Sequence, residues 1–337
     1  MNQRKVGIIG AGSWGTALAL LLSNNGHQVT VYSVIEDEIK MLKENREHKD
    51  KLPGIKLPDS IVFTTDLKQS MTEKDLIVLA VPSPFTRKTA RSMREFTKEG
   101  QLIVNVAKGI EEGTLMTLTD IIQEEIPQAR VAVLSGPSHA EEVGKGLPTT
   151  CVAGAKDEKD AEYIQEIFTS NVFRVYTSTD VLGIELGGAL KNVIALAAGI
   201  ADGLGYGDNV KAALITRGIS EISRLGEAMG GQRDTFHGLT GTGDLIVTCA
   251  SMHSRNRRAG ILIGKGYTMQ EAMDEVKMVV EGVYSAKAAR QLAKKYHVEL
   301  PIIDQVCSIL FEGGSAKEAV EILMGREKKS EIESVNY

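Results

Sequence analysis

Cysteine is scarce in this chain and offers no framework. Its three residues, Cys151, Cys249 and Cys307, are odd in number, widely separated and free of C-x-x-C spacing, which argues against a disulfide scaffold or a thiolate zinc site. Cationic excess is missing as well: 39 Lys and Arg stand against 44 Asp and Glu, a net charge of −5. Such a field repels nucleic acid and anionic membrane surfaces, so an anionic ligand needs a local basic cluster. No uncharged apolar run reaches the roughly 18 residues of a spanning helix, and the opening MNQRKVGIIG shows no charged-then-apolar leader. The expectation is a cytoplasmic protein with a small-molecule substrate, no nucleic-acid partner, no membrane span and no metal.

What is present is ordinary globular composition, 42% hydrophobic and 25% charged. Its 337 residues exceed what one core usually serves, so two domains are expected. Short β-branched runs at 5–10, 28–33, 61–65, 75–81, 102–107, 131–136, 149–155 and 172–178 alternate with helical stretches. That alternation marks an α/β fold with a mostly parallel sheet. From about residue 181 strands vanish, and helical patterns cover 181–201, 209–230, 268–277, 285–297 and a pair near the end. The boundaries read as an α/β domain over 1–180, an all-α domain over 181–328, and a charged, frayed tail over 329–337.

KVGIIGAGSWGTALALLL places G-x-G-x-x-G at Gly10, Gly12 and Gly15, after a strand and opening a helix. In that context the triplet signals dinucleotide binding. Gly10 permits the tight turn, Gly12 lets backbone approach the pyrophosphate, and Gly15 lets helix and strand pack closely. The helix N-terminus, beginning at Ser13, then faces the phosphates. Trp14, the one tryptophan, reads equally as core packing or as a lid over the cofactor. At the end of the second strand an acid would select the ribose hydroxyl of NAD(H) and an arginine the 2′-phosphate of NADP(H). VYSVIEDE supplies Ser33 and Val34 instead, with Glu36 and Asp37 slightly late. The choice of coenzyme stays open.

Basic residues then recur at ligand-facing places. Lys108 ends a strand in VNVAKGIEEGT, and Gly136, Pro137 and Ser138 end the next in VLSGPSHAEEV. Both are crevice positions in an open α/β sheet. His139, in the first turn of the helix that follows, reads as structural. HGLTGTGDLIVTCASMHSRNRRAG packs three arginines and an amide into SRNRR, the local basic cluster an acidic protein needs for a phosphate. Asp244 can cap the helix begun by LIVTC. Cys249 and His253 share helical spacing but do not make a metal site. LGGALKNVIALAAGIADGLG carries Lys191 inside small and aliphatic residues, with Asn192 as a neighbour and Glu185 off its face. A buried amine has its pKa driven toward neutrality, the property a general acid or base needs.

In this combination of GAGSWGTALA, AKGIE, SGPSHAEEV, GIELGGALKNVIA, GDNVKAALITRG, ISRLGEA, GTGDLIVTC, HSRNRR, VVEG and ELPI, the chain resembles bacterial NAD(P)-dependent glycerol-3-phosphate dehydrogenase over nearly its whole length. The resemblance implies a Rossmann-like N-terminal domain, a helical substrate domain and a homodimer. It implies reversible hydride transfer from NAD(P)H to C2 of dihydroxyacetone phosphate, giving sn-glycerol 3-phosphate for phospholipid biosynthesis.

By the same resemblance Lys191 is the proton donor and acceptor, with Lys108 beside it touching substrate and cofactor. Gly136, Ser138, Asp244, Ser254, Arg255 and Asn256 line the substrate. Ser13, Trp14, Lys108, Ala140, Arg255, Val279 and Glu281 join the glycines at the cofactor. Two positions depart from the family: Val34 stands where Arg or His is usual, and Lys51 where a tyrosine commonly precedes LPG. The first removes the expected 2′-phosphate ligand, which Lys51 or Arg255 could replace. The alternatives are a related two-domain dehydrogenase of a hydroxy acid or sugar acid, and a non-catalytic NAD(P)-binding sensor.

Overall fold

Eight strands form one sheet: β1 Lys5–Ile9, β2 Gln28–Tyr32, β3 Val62–Thr64, β4 Leu76–Leu79, β5 Leu102–Asn105, β6 Arg130–Ser135, β7 Thr149–Ala155 and β8 Phe173–Ser178. The computed structural model describes residues 2–328, 330 and 331, so the expected frayed tail falls, apart from two residues, outside them. The order is β3-β2-β1-β4-β5-β6-β7-β8. All neighbours are parallel except β6 and β7, where Ala132 faces Ala155 in an antiparallel register.

The central strands are buried on both faces, which is why they read as unbroken apolar runs. In β4, Leu76 and Val78 join one core while Ile77 and Leu79 join the other, and β5 repeats the alternation with Val104 and Ile103. Each face of the sheet carries its own core, and in such a fold ligands bind at the carboxyl ends of the parallel strands.

After β8 the chain is helical. Helix Val181–Gly203 is the axis of this half: Asp180 caps it by accepting from Gly183 N at 2.9 Å, and every residue from Gly183 to Leu196 is buried. By length and apolarity it could cross a membrane, but 94% of its most apolar stretch lies inside the protein. It is a core helix.

Its small residues have a specific partner, the helix Arg255–Gly264. A Cβ on Gly199 would lie 2.2 Å from Arg257 O and one on Gly203 2.3 Å from Ile261 O. Reciprocally, Gly260 would meet Leu196 O at 2.2 Å and Gly264 would meet Ile200 O at 2.3 Å. Four glycines thus bring two backbones into direct contact. SRNRR is consequently the start of a docked helix rather than a solvated charge run, a difference the arginines conceal in the sequence.

Candidate active site

The glycine turn has the shape its sequence suggests. Gly10 has φ +115°, and its Cβ would sit 2.7 Å from Ala80 O on the neighbouring strand end. Gly15 is closed by Gly10 O at 2.0 Å, whereas a Cβ on Gly12 would meet nothing within 4 Å. Gly12 precedes helix Ser13–Asn24, which has no side-chain cap. Two glycines are therefore needed by the protein, and the third faces open space beside free helix N–H groups. These residues fit a dinucleotide pyrophosphate. Trp14 is partly buried and packs on the sheet core.

At the end of β2 a buried carboxylate organises the chain. Glu38 accepts from Ser33 Oγ at 2.5 Å, from Lys51 Nζ at 2.5 Å and from His48 Nε2 at 2.9 Å. Burial would raise its pKa, but the hydrogen bonds from His48, Lys51 and Ser33 outweigh that and hold it at about 2. Lys51 is thus committed to an acid, and Val34 beside it is 78% exposed.

The chemistry gathers where β5 and β6 end against the axial helix. Lys108 Nζ donates to Gly136 O at 3.0 Å and lies 2.5 Å from Asp244 Oδ2. Lys191 Nζ lies 2.8 Å from Asp244 Oδ1 and donates to Thr248 Oγ1 at 2.5 Å. Gly136 has φ +148°, and its Cβ would press on Thr150 O and Cys151 Cα at 3.0 Å, so the turn that presents its carbonyl requires glycine. Gly188, three residues before Lys191, lies under the Lys108 side-chain stem, and a Cβ there would press on Ser135 Oγ at 3.1 Å.

Lys191 is paired, then, though with a partner that no sequence spacing indicates. Asp244 opens helix Asp244–Ala250, and both of its carboxylate oxygens serve lysines rather than capping that helix. Burial pulls the Lys191 pKa down, the Asp244 charge raises it and Lys108 lowers it again, leaving it at about 8. Burial would raise Asp244, but the charges and hydrogen bonds of Lys108 and Lys191 hold it below the usual value. One buried carboxylate between two ammonium groups leaves the cluster one positive charge in excess, which suits a developing oxyanion or an anionic ligand.

Around this cluster the remaining candidates divide. Ser138 Oγ donates to Gly136 O at 3.0 Å, and Ala140 begins the short helix Ala140–Gly144. His139 precedes it, with its ring centroid 5.8 Å from that of His253; burial first, then the charge of Lys191, pulls its pKa down. Ser254 caps helix Arg255–Gly264 by accepting from Arg257 N at 3.2 Å. Asn256 donates to Asn192 Oδ1 at 2.9 Å and accepts from Gly282 N at 2.8 Å, keeping one N–H for a ligand.

The SRNRR cluster is split. Arg257 pairs with Asp202 at 2.7 Å and Arg258 is exposed, so Arg255 alone turns inward, donating to Val279 O at 3.1 Å. Glu281 accepts from Ser83 N at 3.1 Å and from Ser83 Oγ, joining the β4 end to the helical half. Gly109, next to Lys108, lies against both Ser83 and Glu281, so this contact borders the lysine cluster. Arg255 thus keeps the company of Val279 and Glu281, and Glu281 lowers the cost of burying it.

Two residues of the site escape the sequence reading. Thr248 Oγ1 accepts a hydrogen bond from Lys191 and donates its own to Asp244 O at 2.6 Å. Its i,i+4 spacing from Asp244 was a legible signal, since it puts both on one helical face. Ser83 had none, because its partner is 198 residues away.

Comparison with known proteins gives the same direction. Residues 5–161 match the family described as NAD-dependent glycerol-3-phosphate dehydrogenase N-terminus, and residues 180–321 its C-terminus. The glycerol-3-phosphate dehydrogenase [NAD(P)+] of Agathobacter rectalis is 66% identical over 99% of both chains. That of Bacillus subtilis is 52% identical over 99% of this chain and 97% of its own. A crystal structure of glycerol-3-phosphate dehydrogenase from Coxiella burnetii superposes with a TM-score of 0.93 at 36% identity, covering 96% of this chain and 99% of that one. The chain belongs to the NAD-dependent glycerol-3-phosphate dehydrogenase family and is an NAD(P)-dependent oxidoreductase with a Rossmann-like sheet and a helical C-terminal half.

Proposed function

We propose that this chain interconverts dihydroxyacetone phosphate and sn-glycerol 3-phosphate, with Lys191 as the proton donor and acceptor. The observation that carries the proposal is the buried Lys191 ammonium, 2.8 Å from Asp244 and joined through it to Lys108 at the carboxyl edge of the sheet. When bound, the reduced nicotinamide supplies a hydride to C2 of the ketone. As the carbonyl electron pair moves onto oxygen, Lys191 gives its proton to that oxygen and is recharged from solvent. Asp244 keeps the amine protonated between turnovers, Thr248 fixes its direction, and Lys108 polarises the carbonyl. Arg255, Ser254 and the spare Asn256 N–H hold the phosphate, with Gly136 and Ser138 closing the substrate's side.

Residues 1–180 are assigned to the cofactor, through Gly10, Gly12, Ser13, Trp14, Gly15 and Ala140. Residues 181–328 are assigned to the substrate, with Arg255, Val279 and Glu281 reaching back to the cofactor. A homodimer belongs to the same proposal on the family resemblance, and a cytoplasmic location on that resemblance and on three buried cysteines without a disulfide.

The test is loss of reduced-coenzyme absorbance with dihydroxyacetone phosphate, set against dihydroxyacetone without the phosphate. Turnover confined to the phosphorylated ketone is expected. Equal turnover of both, or turnover of a hydroxy-acid precursor alone, would overturn the assignment.

A further inference from the structure

The end of β2 carries a charge arrangement that bears on which coenzyme enters. Ser33 Oγ donates to Glu38 and accepts from Ile35 N at 3.2 Å, so its one O–H is committed and cannot be offered to a phosphate. Lys51, the one ammonium bonded into this cluster, points at the same carboxylate, and its side chain is only 34% exposed. Glu36 and Asp37 stand exposed in the first turn of helix Glu36–Asn45. Val34, which follows Ser33, is 78% exposed, and Ile35 is 51% exposed.

In a dinucleotide fold this strand end faces the 2′ position of the adenosine ribose. A 2′-phosphate there would bring close to two negative charges toward exposed Glu36 and Asp37, where Glu38 and Lys51 cancel each other. The compensating ammonium is already neutralised, and apolar Val34 offers no donor. A ribose diol is uncharged and loses little beside Val34.

Resting on the proposed function, we infer that this chain takes NADH in preference to NADPH, and that Val34 together with the Glu38–Lys51 pair sets the preference. Glu38 acts by holding Lys51 away from the cofactor, so its part is that of a positioning residue. The inference concerns binding, and it is separable from turnover.

Titration of NADH and of NADPH into the ketone-free protein, followed by calorimetry, gives the two Kd values directly. NADPH is expected to bind about tenfold more weakly or worse, the worth of one missing charge-assisted contact. Val34→Arg should tighten NADPH by about tenfold while moving NADH less than about threefold. Glu38→Gln, which frees Lys51, should move NADPH in the same direction. Removing both members of the pair, Glu38→Gln with Lys51→Ala, should leave NADPH binding where it was. Equal Kd values for the two coenzymes in the unaltered protein would overturn the inference, as would a tenfold loss of NADPH binding in the double variant. Failure of both coenzymes to bind would instead overturn the cofactor reading on which it rests.

Discussion

Lys191 Nζ lies 2.8 Å from Asp244 Oδ1, inside the protein, and Thr248, 57 positions further along the chain, completes its surroundings. The pair explains how a helix built for burial tolerates an ammonium group. Replacing Lys191 with Ala should cut kcat by roughly 10²-fold or more, the usual worth of a general acid. Calorimetric Kd values for the coenzyme should change little, because the glycine turn is untouched. Near-normal turnover would remove Lys191 from the mechanism.

The pH dependence follows from the same pair. Ketone reduction needs the protonated amine, so its rate should fall as pH rises through about 8, and glycerol phosphate oxidation should rise over that range. Asp244→Asn deletes the charge that raises the Lys191 pKa while leaving Lys108 to lower it. The fall should then begin at lower pH, a displacement that pH profiles of kcat for the two proteins would measure. An unmoved profile would show that Asp244 does not tune the amine.

Gly12 and Gly15 should respond in opposite ways. A Cβ on Gly12 enters open space, and its backbone, φ −63° and ψ −179°, suits any residue. Gly12→Val should leave stability within about 0.5 kcal/mol and weaken NADH binding about tenfold or more by occupying the pyrophosphate's place. Gly15→Ala puts a methyl 2.0 Å from Gly10 O and should cost about 2 kcal/mol or more of folding stability. Denaturant titration beside NADH calorimetry separates the two losses.

Acid should weaken the β2 end. Glu38 falls from 4.5 to about 2 on folding, so its contribution is full above about 4.5 and is lost as pH drops toward 2. Glu38→Gln should destabilise the protein at pH 7 by on the order of 1–3 kcal/mol. The gap to the unaltered protein should close between pH 4.5 and 2. A constant gap across that range, read by thermal unfolding, would mean that charge is not the source.

The glycine contact between the two long elements of the helical half gives a packing test. Gly260→Leu would force helix Arg255–Gly264 away from Leu196 O, which its Cβ would otherwise meet at 2.2 Å. A loss of several kcal/mol is expected, beyond the roughly 1–3 kcal/mol of ordinary overpacking, because backbone cannot move aside as a side chain can. Thermal melting of the variant would show it, and activity should fall with it as Arg255 and Asn256 shift.

By itself the sequence determined the strands, the switch from sheet to helix near residue 180, the glycine turn and the suspicion attached to Lys191 and Lys108. These are local properties: apolar runs of period two, glycine spacing, and a lone charge in a small-residue helix all act within about one element's length. It could not place Asp244 between the lysines, join Ser83 to Glu281, or set Glu38 against Lys51. Nor could it show that Arg257 is spent on Asp202 while Arg255 turns inward. Those choices depend on distances between elements far apart in the chain, and side-chain pairing across such gaps carries no periodic signal. Tertiary structure decided them by burying two backbones against each other at four glycines and closing the sheet edge over one shared carboxylate.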